Sequence, residues 1–282
     1  QYSKLKSTYA DGLLKVIDAD GRIRTSFQMT VTATGRLSST EPNLQNIPTR
    51  TELGSQMRRM FVAAPGNLLV DADYSQIELR LLAHMAGDEA MIAAFRSGGD
   101  FHAETAAKVF HVAPDQVTHE MRRQAKAVNF GIVYGISDFS LSQDIGVPRY
   151  EAKEYMQRYF EKYSGVHQYM TDIVERAKAD GFVSTLMGRR RWLPELKSSN
   201  FNTRSFGERV ALNMPIQGTA TIASFMMSAA VPWMGMFRAT RSPKERRLKL
   251  EDFSSGRSRR RWNSVSTHPC SLAFATTSSI YF

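Results

Sequence analysis

Apolar positions recur with helical spacing over much of this chain, with strand spacing in two short stretches, and with neither toward its end. Residues 1–50 mix helical and strand signals and close in turns marked by Glu41-Pro42-Asn43 and Ile47-Pro48. The run Leu68-Leu69-Val70-Asp71-Ala72-Asp73 predicts a short buried strand. Ile77, Leu81 and Met85 then recur every four residues, which is a helical period. Asp100 suits the N-cap of a helix over 101–110, and Thr118 that of a longer one from His119 to about Tyr134. Pro148 opens a further helix, with a break at Gly165 and a second helix ending at Asp180-Gly181. Phe182–Leu193, interrupted by Gly188, reads as a hairpin. Phe206 to about Ala220 reads as a helix kinked at Pro215. No internal repeat is present.

At Thr221 the texture changes. Residues 221–282 hold eleven Ser and eight Arg, and neither periodicity persists beyond Leu250. Such a basic Ser/Arg stretch predicts solvated chain without regular structure.

Composition bounds the class. Of the 282 residues, 42% are hydrophobic and 23% charged, ordinary values for a globular protein of one or two domains. No apolar run reaches eighteen residues, so no membrane span is expected. Gln1-Tyr2-Ser3-Lys4 carries neither a signal core nor a starting Met, and the expectation is a fragment. A lone Cys270 rules out an intrachain disulfide framework and a cysteine-rich zinc site, and is compatible with a reducing cytoplasm.

The net charge of +10 would favour a polyanionic partner. Residues 221–282, however, hold ten Lys/Arg against three Asp/Glu, leaving 27 against 24 in residues 1–220. The surplus belongs mostly to the tail and argues little about the rest.

Three groups of residues carry candidate chemistry. Asp73, where an apolar strand meets a helix start, could offer a hard oxygen to magnesium in phosphoryl transfer; a cap on the following helix is the plainer use of such a residue. Arg122, Lys126, Phe130 and Tyr134 recur every four residues along one helix. Cations in a helix's first half are unfavourable unless an anion lies opposite, and aromatic rings one and two turns on could stack on a base. A solvated basic face with two core aromatics is the plainer reading. The segment Thr34–Pro48 is rich in donors that suit phosphate and minor-groove contacts, or plain turns. Arg209, Asn213 and Gln217, four apart, can share one helical face.

Together these motifs resemble the family A DNA polymerases, of the bacterial DNA polymerase I type, from about Lys4 to Ala220. Asp73-Tyr74-Ser75-Gln76-Ile77-Glu78-Leu79-Arg80 is similar to the family's first catalytic motif. The resemblance implies that Asp73 and the Tyr74 carbonyl ligate metal and that Glu78 packs under the incoming sugar, obstructing a 2′-hydroxyl. Arg122 to Gly135 resembles the fingers helix. There Arg122 and Lys126 would hold phosphates and act in catalysis, with Phe130 beside the sugar and Tyr134 in the insertion site. Gly131 and Gly135 would allow close backbone approach. His102 and Gln76 complete the implied nucleotide set. Arg36, with Asn43 and Gln45, would line the primer–template, and Arg209, Asn213 and Gln217 would read the duplex minor groove, whose readout is degenerate.

The implied fold is α+β: an antiparallel palm sheet carrying Asp73 and a mainly helical fingers subdomain. Residues 1–86 would be a thumb remnant and the first part of the palm, 87–200 the fingers, 201–220 the return to the palm, and 221–282 an unfamiliar tail. Implied partners are primer–template DNA, deoxynucleoside triphosphates and two Mg²⁺ ions, with a monomer at work in the cytoplasm. Two departures stand out. A thumb and any exonuclease domain would precede Gln1. The family's His-Asp-Glu motif, which brings the second metal carboxylate, is also absent: Glu245, Glu251 and Asp252 follow no His, and His268 precedes Pro269. A shifted reading frame or a join to unrelated sequence would explain that ending. The chain is therefore expected to be either a nucleotidyl-transferring polymerase core with impaired turnover or a module that only binds nucleotide or DNA.

Overall fold

The computed structural model describes residues 2–48, 52–63, 72–74, 76–234 and 248–249. It divides into two compact units, residues 1–75 with 226–282, and residues 76–225.

In the first unit, α1 (Tyr2–Lys4), a π-helical turn (Leu5–Ala10) and α2 (Asp11–Leu14) form one continuous helical stretch. Leu5, Tyr9 and Leu13, four apart, are its buried face, packed by Ile23, Leu44, Ile47, Met57 and Phe61. The Tyr9 hydroxyl donates to the Asn46 carbonyl, tying this helix to the loop after Pro42. β1 (Ser26–Gln28) and β2 (Ser38–Thr40) pair antiparallel, followed by α3 (Glu52–Met57). β3 (Ala72–Asp73) keeps the end of the expected strand; residues 68–71 lie outside the described ones.

Ala72–Asp73 pairs in parallel with β6 (Leu248–Lys249). Antiparallel neighbours usually come from a hairpin, whereas parallel ones need a long crossover.

The second unit is mostly helical: α4 (Ile77–Ala86), α5 (Glu89–Arg96), α6 (Phe101–Val109), α7 (His119–Val133), α8 (Asp138–Ile145), α9 (Arg149–Lys162), α10 (Ser164–Asp180) and α11 (Phe201–Met234) as far as Phe225. Leu79, Leu82, Met91, Phe101, Val128, Ile132, Leu141 and Tyr159 contribute to one core shared by α4 through α9. The predicted caps are in place: Asp100 accepts from the His102 and Ala103 amides, and Thr118 from Met121. β4 (Phe182–Ser184) and β5 (Arg190–Trp192) form the predicted hairpin, with Gly188 at φ +79° in its turn. This α+β architecture, helical with small antiparallel sheets, is the predicted fold class.

Two boundaries move. The break expected at Gly165 falls at Tyr163, whose non-helical backbone (φ −113°, ψ 64°) separates α9 from α10. Gly165 lies in the first turn of α10, where a Cβ would come within 3.1 Å of the Asp88 Cα. Its lack of a side chain serves close packing rather than a bend. α11 starts before Phe206 because Asn200 accepts from the Thr203 amide, and it runs past Ala220 to Met234 because the residues after Thr221 remain largely apolar or good helix formers. The structureless reading of residues 221–282 thus fails for the first part of that segment; 235–247 and 250–282 lie outside the described residues. Pro215 removes one backbone bond inside α11 without ending it, and its own carbonyl accepts from the Thr219 hydroxyl at 2.6 Å.

Candidate functional site

The site in the second unit is built where α6 and α7 pack together, with α4 beside them. α7 presents Arg122, Lys126 and Phe130 on successive turns, each half-buried, and Tyr134 closes the helix. A gently spiralling stripe follows because four residues overshoot the 3.6-residue turn. The Lys126 Nζ lies 6.0 Å from the Phe130 ring centroid, at the outer limit of a cation–π contact.

His102, in the first turn of α6, is buried and lies 5.8 Å from the Phe130 ring centroid. Its Nδ1 is 2.9 Å from the amide nitrogen of Asn129, a buried residue on α7. The amide NH2 can only donate, so Nδ1 accepts and the ring proton sits on Nε2. The Thr105 hydroxyl, which donates to the Phe101 carbonyl at 2.9 Å, lies 3.4 Å from the Asn129 amide oxygen. One nitrogen of His102 is thereby engaged within the core.

Arg122 Nε donates to Asp100 Oδ2 at 2.6 Å, and the other oxygen of Asp100 caps α6. Partial burial alone would raise the carboxyl's pKa. The bond from Arg122, the backbone donor of Ala103 and the nearby charges outweigh it, so the group is held below its ordinary 3.8. Asp100 therefore stays ionised.

Glu78, in the first turn of α4, is buried and accepts from the Tyr134 hydroxyl at 2.6 Å. The residue before the helix, Gln76, adopts a left-handed φ of 55°, uncommon for a residue with a Cβ. At the other end of α7, a Cβ on Gly135 would meet Leu212 at 3.0 Å and Arg209 at 3.5 Å, and Gly135 has φ +66°. The close approach expected there is present between α7 and α11. Gly131 likewise has no room, since a Cβ would fall 2.8 Å from Ile136.

On α11, Gln217 donates to the Asn213 amide oxygen at 2.6 Å, so these two do share a face, while Arg209 donates to the Ser205 hydroxyl at 2.9 Å. The Thr219 hydroxyl accepts from the Leu186 amide at 3.1 Å and ties the β4–β5 hairpin to α11.

Asp73, Tyr74, Arg36, Asn43 and Gln45 belong to the first unit. Asn43 Oδ1 accepts from the Gln45 and Asn46 amides, and the Gln45 side chain donates to the Leu37 carbonyl at 3.0 Å. These bonds hold the loop itself, and the turn-forming use of this segment is real. Asp73 and Tyr74 offer a carboxylate and a carbonyl. Among the described residues no three His, Cys, Asp or Glu are grouped to hold a metal ion.

Sequence reasoning did not reach Asn129 or the second role of Asp100. Both were signalled only by tertiary contact: Asn129 is a polar residue among the apolar positions Ala125, Val128 and Ile132, and Asp100 was already accounted for as a cap.

Two cations and two aromatics thus lie along one stripe of α7, with the α6 imidazole beside Phe130. The chain belongs to DNA polymerase family A, whose family model matches residues 1–242. That match extends beyond Ala220, where the recognisable motifs end. DNA polymerase I of Geobacillus stearothermophilus is 57% identical over 222 residues, 78% of this chain and 25% of that protein. DNA polymerase I of Bacillus subtilis (strain 168) is 58% identical over the same length and shares. Among solved structures, the POL domain of Pol1 from M. smegmatis, in complex with DNA primer-template and dNTP, aligns with a TM-score of 0.73 at 47% identity. That alignment covers 83% of this chain and 42% of the other. The chain thus spans about a quarter of the length of the curated relatives it matches.

Proposed function

We propose that this chain carries the nucleotide-handling part of template-directed DNA synthesis. In that reaction the primer 3′-oxygen attacks the α-phosphorus of a deoxynucleoside triphosphate, pyrophosphate leaves, and the hydroxyl proton passes to solvent. Arg122 and Lys126, with His102, hold the phosphates; Phe130 lies beside the sugar, Glu78 and Gln76 border it, and Tyr134 fills the insertion position until a base arrives. Arg36, Asn43, Gln45, Arg209, Asn213 and Gln217 follow the primer–template. The observation that carries the reading is the α7 stripe with His102 packed beside Phe130. Electropositive helix starts favour phosphate, and one helix that offers charge and then rings suits one nucleotide.

Asp73 and the Tyr74 carbonyl are hard oxygen donors of the kind magnesium takes, and the ion would neutralise charge on the phosphates. They are a partial set: Asp73 stands at the first of the family's two carboxylate positions, and no residue of this chain matches the second. Losing one electrostatic contributor typically costs on the order of 10²–10³ in rate. Primer extension by this chain is therefore expected to be very weak, and what remains is expected to vanish in Asp73→Ala. Robust extension would show that another acid substitutes. The second reading, a chain that binds nucleotide or DNA without turnover, is favoured by that same missing carboxylate. A monomer acting in the cytoplasm fits either; no helix among the described residues is long and apolar enough to cross a membrane.

Titration of a fluorescent deoxynucleoside triphosphate against the chain and its Lys126→Ala variant tests the nucleotide site. The variant is expected to bind about tenfold more weakly, as loss of a charge-assisted contact implies. Equal affinities would refute the assignment.

A further inference from the structure

Resting on the reading of Arg122 as a phosphate ligand, we propose that Asp100 is a positioning residue that decides which edge of Arg122 meets the triphosphate. The two oxygens of Asp100 do different things. One accepts from the His102 and Ala103 amides at 3.1 and 3.2 Å and caps α6. The other accepts from Arg122 Nε at 2.6 Å, across from α6 to α7.

A guanidinium is a planar fork with a side edge that includes Nε and an end edge made of its two terminal nitrogens. With Nε taken by Asp100, the end edge is what remains for a second anion, and that edge can grip a phosphate with two parallel bonds. The pair is not sealed from solvent: the side chains are 38% and 43% exposed, so a nucleotide can reach the fork while Asp100 keeps its hold. Ordering a long side chain before the ligand arrives removes part of the entropy cost of binding.

Capping alone does not call for a carboxylate at position 100, because Ser, Thr or Asn caps a helix as well. A negative charge there opposes a triphosphate unless it does something else. What only a carboxylate supplies is the second acceptor for Nε. His102 leaves the same helix turn two residues later, so the residue that sets the fork also anchors the backbone that carries the imidazole.

The test uses Asp100→Asn in the full chain. Asn keeps one oxygen for the α6 cap and presents an amino group to Nε, so the cap survives and the ion pair is lost. Affinities for a fluorescent deoxynucleoside triphosphate and for the matching monophosphate are measured, alongside the melting midpoint. Triphosphate binding is expected to weaken about two- to fivefold, with monophosphate binding unchanged and the midpoint lowered by no more than the loss of one exposed ion pair implies. In an Arg122→Lys background, which has no fork to orient, Asp100→Asn is expected to have no further effect. Unchanged or tighter triphosphate binding by Asp100→Asn would overturn the proposal, the latter by showing that Asp100 competes with phosphate. If Arg122→Ala itself leaves triphosphate affinity intact, the phosphate reading falls first and this proposal with it.

Discussion

Tyr134 and Glu78 show how single residues of this site depend on one another. The Tyr134 hydroxyl reaches the buried Glu78 carboxylate at 2.6 Å across 56 residues of sequence. An intramolecular hydrogen bond of this kind contributes about 0.5–1.5 kcal/mol. If Glu78 packs under the sugar as proposed, the bond also fixes where that carboxylate stands. Tyr134→Phe is therefore expected to narrow the preference for deoxy- over ribonucleoside triphosphates while leaving the ring in place. Competitive titration with the two sugars reads this directly; an unchanged ratio would mean that Glu78 is held by its other contacts. At this scale the sequence was legible where periodicity or a motif marked a residue, as with the stripe from Arg122 to Tyr134. It was silent where chemistry depends on a partner in another helix. Nothing local says that Asn129 meets His102, or that Asp100 spends its second oxygen on Arg122, because those contacts exist only once α6 lies against α7.

Elements were legible through their ends. Asp100, Thr118, Pro148 and Gly181 mark helix boundaries by chemistry that acts within a few residues, and all four stand at the expected places. The break at Gly165 was misplaced because glycine has two uses, and tight packing against Asp88 is tertiary. Asp88 is the more consequential residue. It is buried, accepts from the Met91 amide at 2.8 Å to cap α5, and accepts from the Val166 amide at 3.2 Å at the start of α10. One carboxylate thus closes two helix starts, reaching an amide 78 residues away in sequence. Each lost cap costs about 1 kcal/mol, so Asp88→Ala is expected to lower unfolding stability by about 2 kcal/mol or more, and Asp88→Asn by roughly half as much. Urea midpoints at unchanged slope would measure it. A loss for Asp88→Ala within about 0.5 kcal/mol, as for an ordinary surface change, would mean the two helices do not rely on this residue.

Across the whole molecule, charge and architecture point to different places. The tail beyond Thr221 carries most of the net positive charge, so binding of DNA by the full chain, steep in salt as it would be, is weak testimony about any groove. The triphosphate gives a sharper question. Arg122, Lys126, His102, Phe130, Tyr134 and Glu78 all belong to the unit of residues 76–225, whereas Asp73 and Tyr74 belong to the other. A unit with its own core should fold alone. Residues 76–234, which keep α11 whole, are therefore expected to bind a deoxynucleoside triphosphate with the affinity of the full chain, and Asp73→Ala in the full chain is expected to leave affinity measured without magnesium unchanged. Far-UV circular dichroism establishes whether the shortened chain keeps its helices. A helical 76–234 that fails to bind would show that residues of the first unit hold the nucleotide, and the phosphate stripe of α7 would then be a solvated face, the plainer alternative that its spacing alone always allowed.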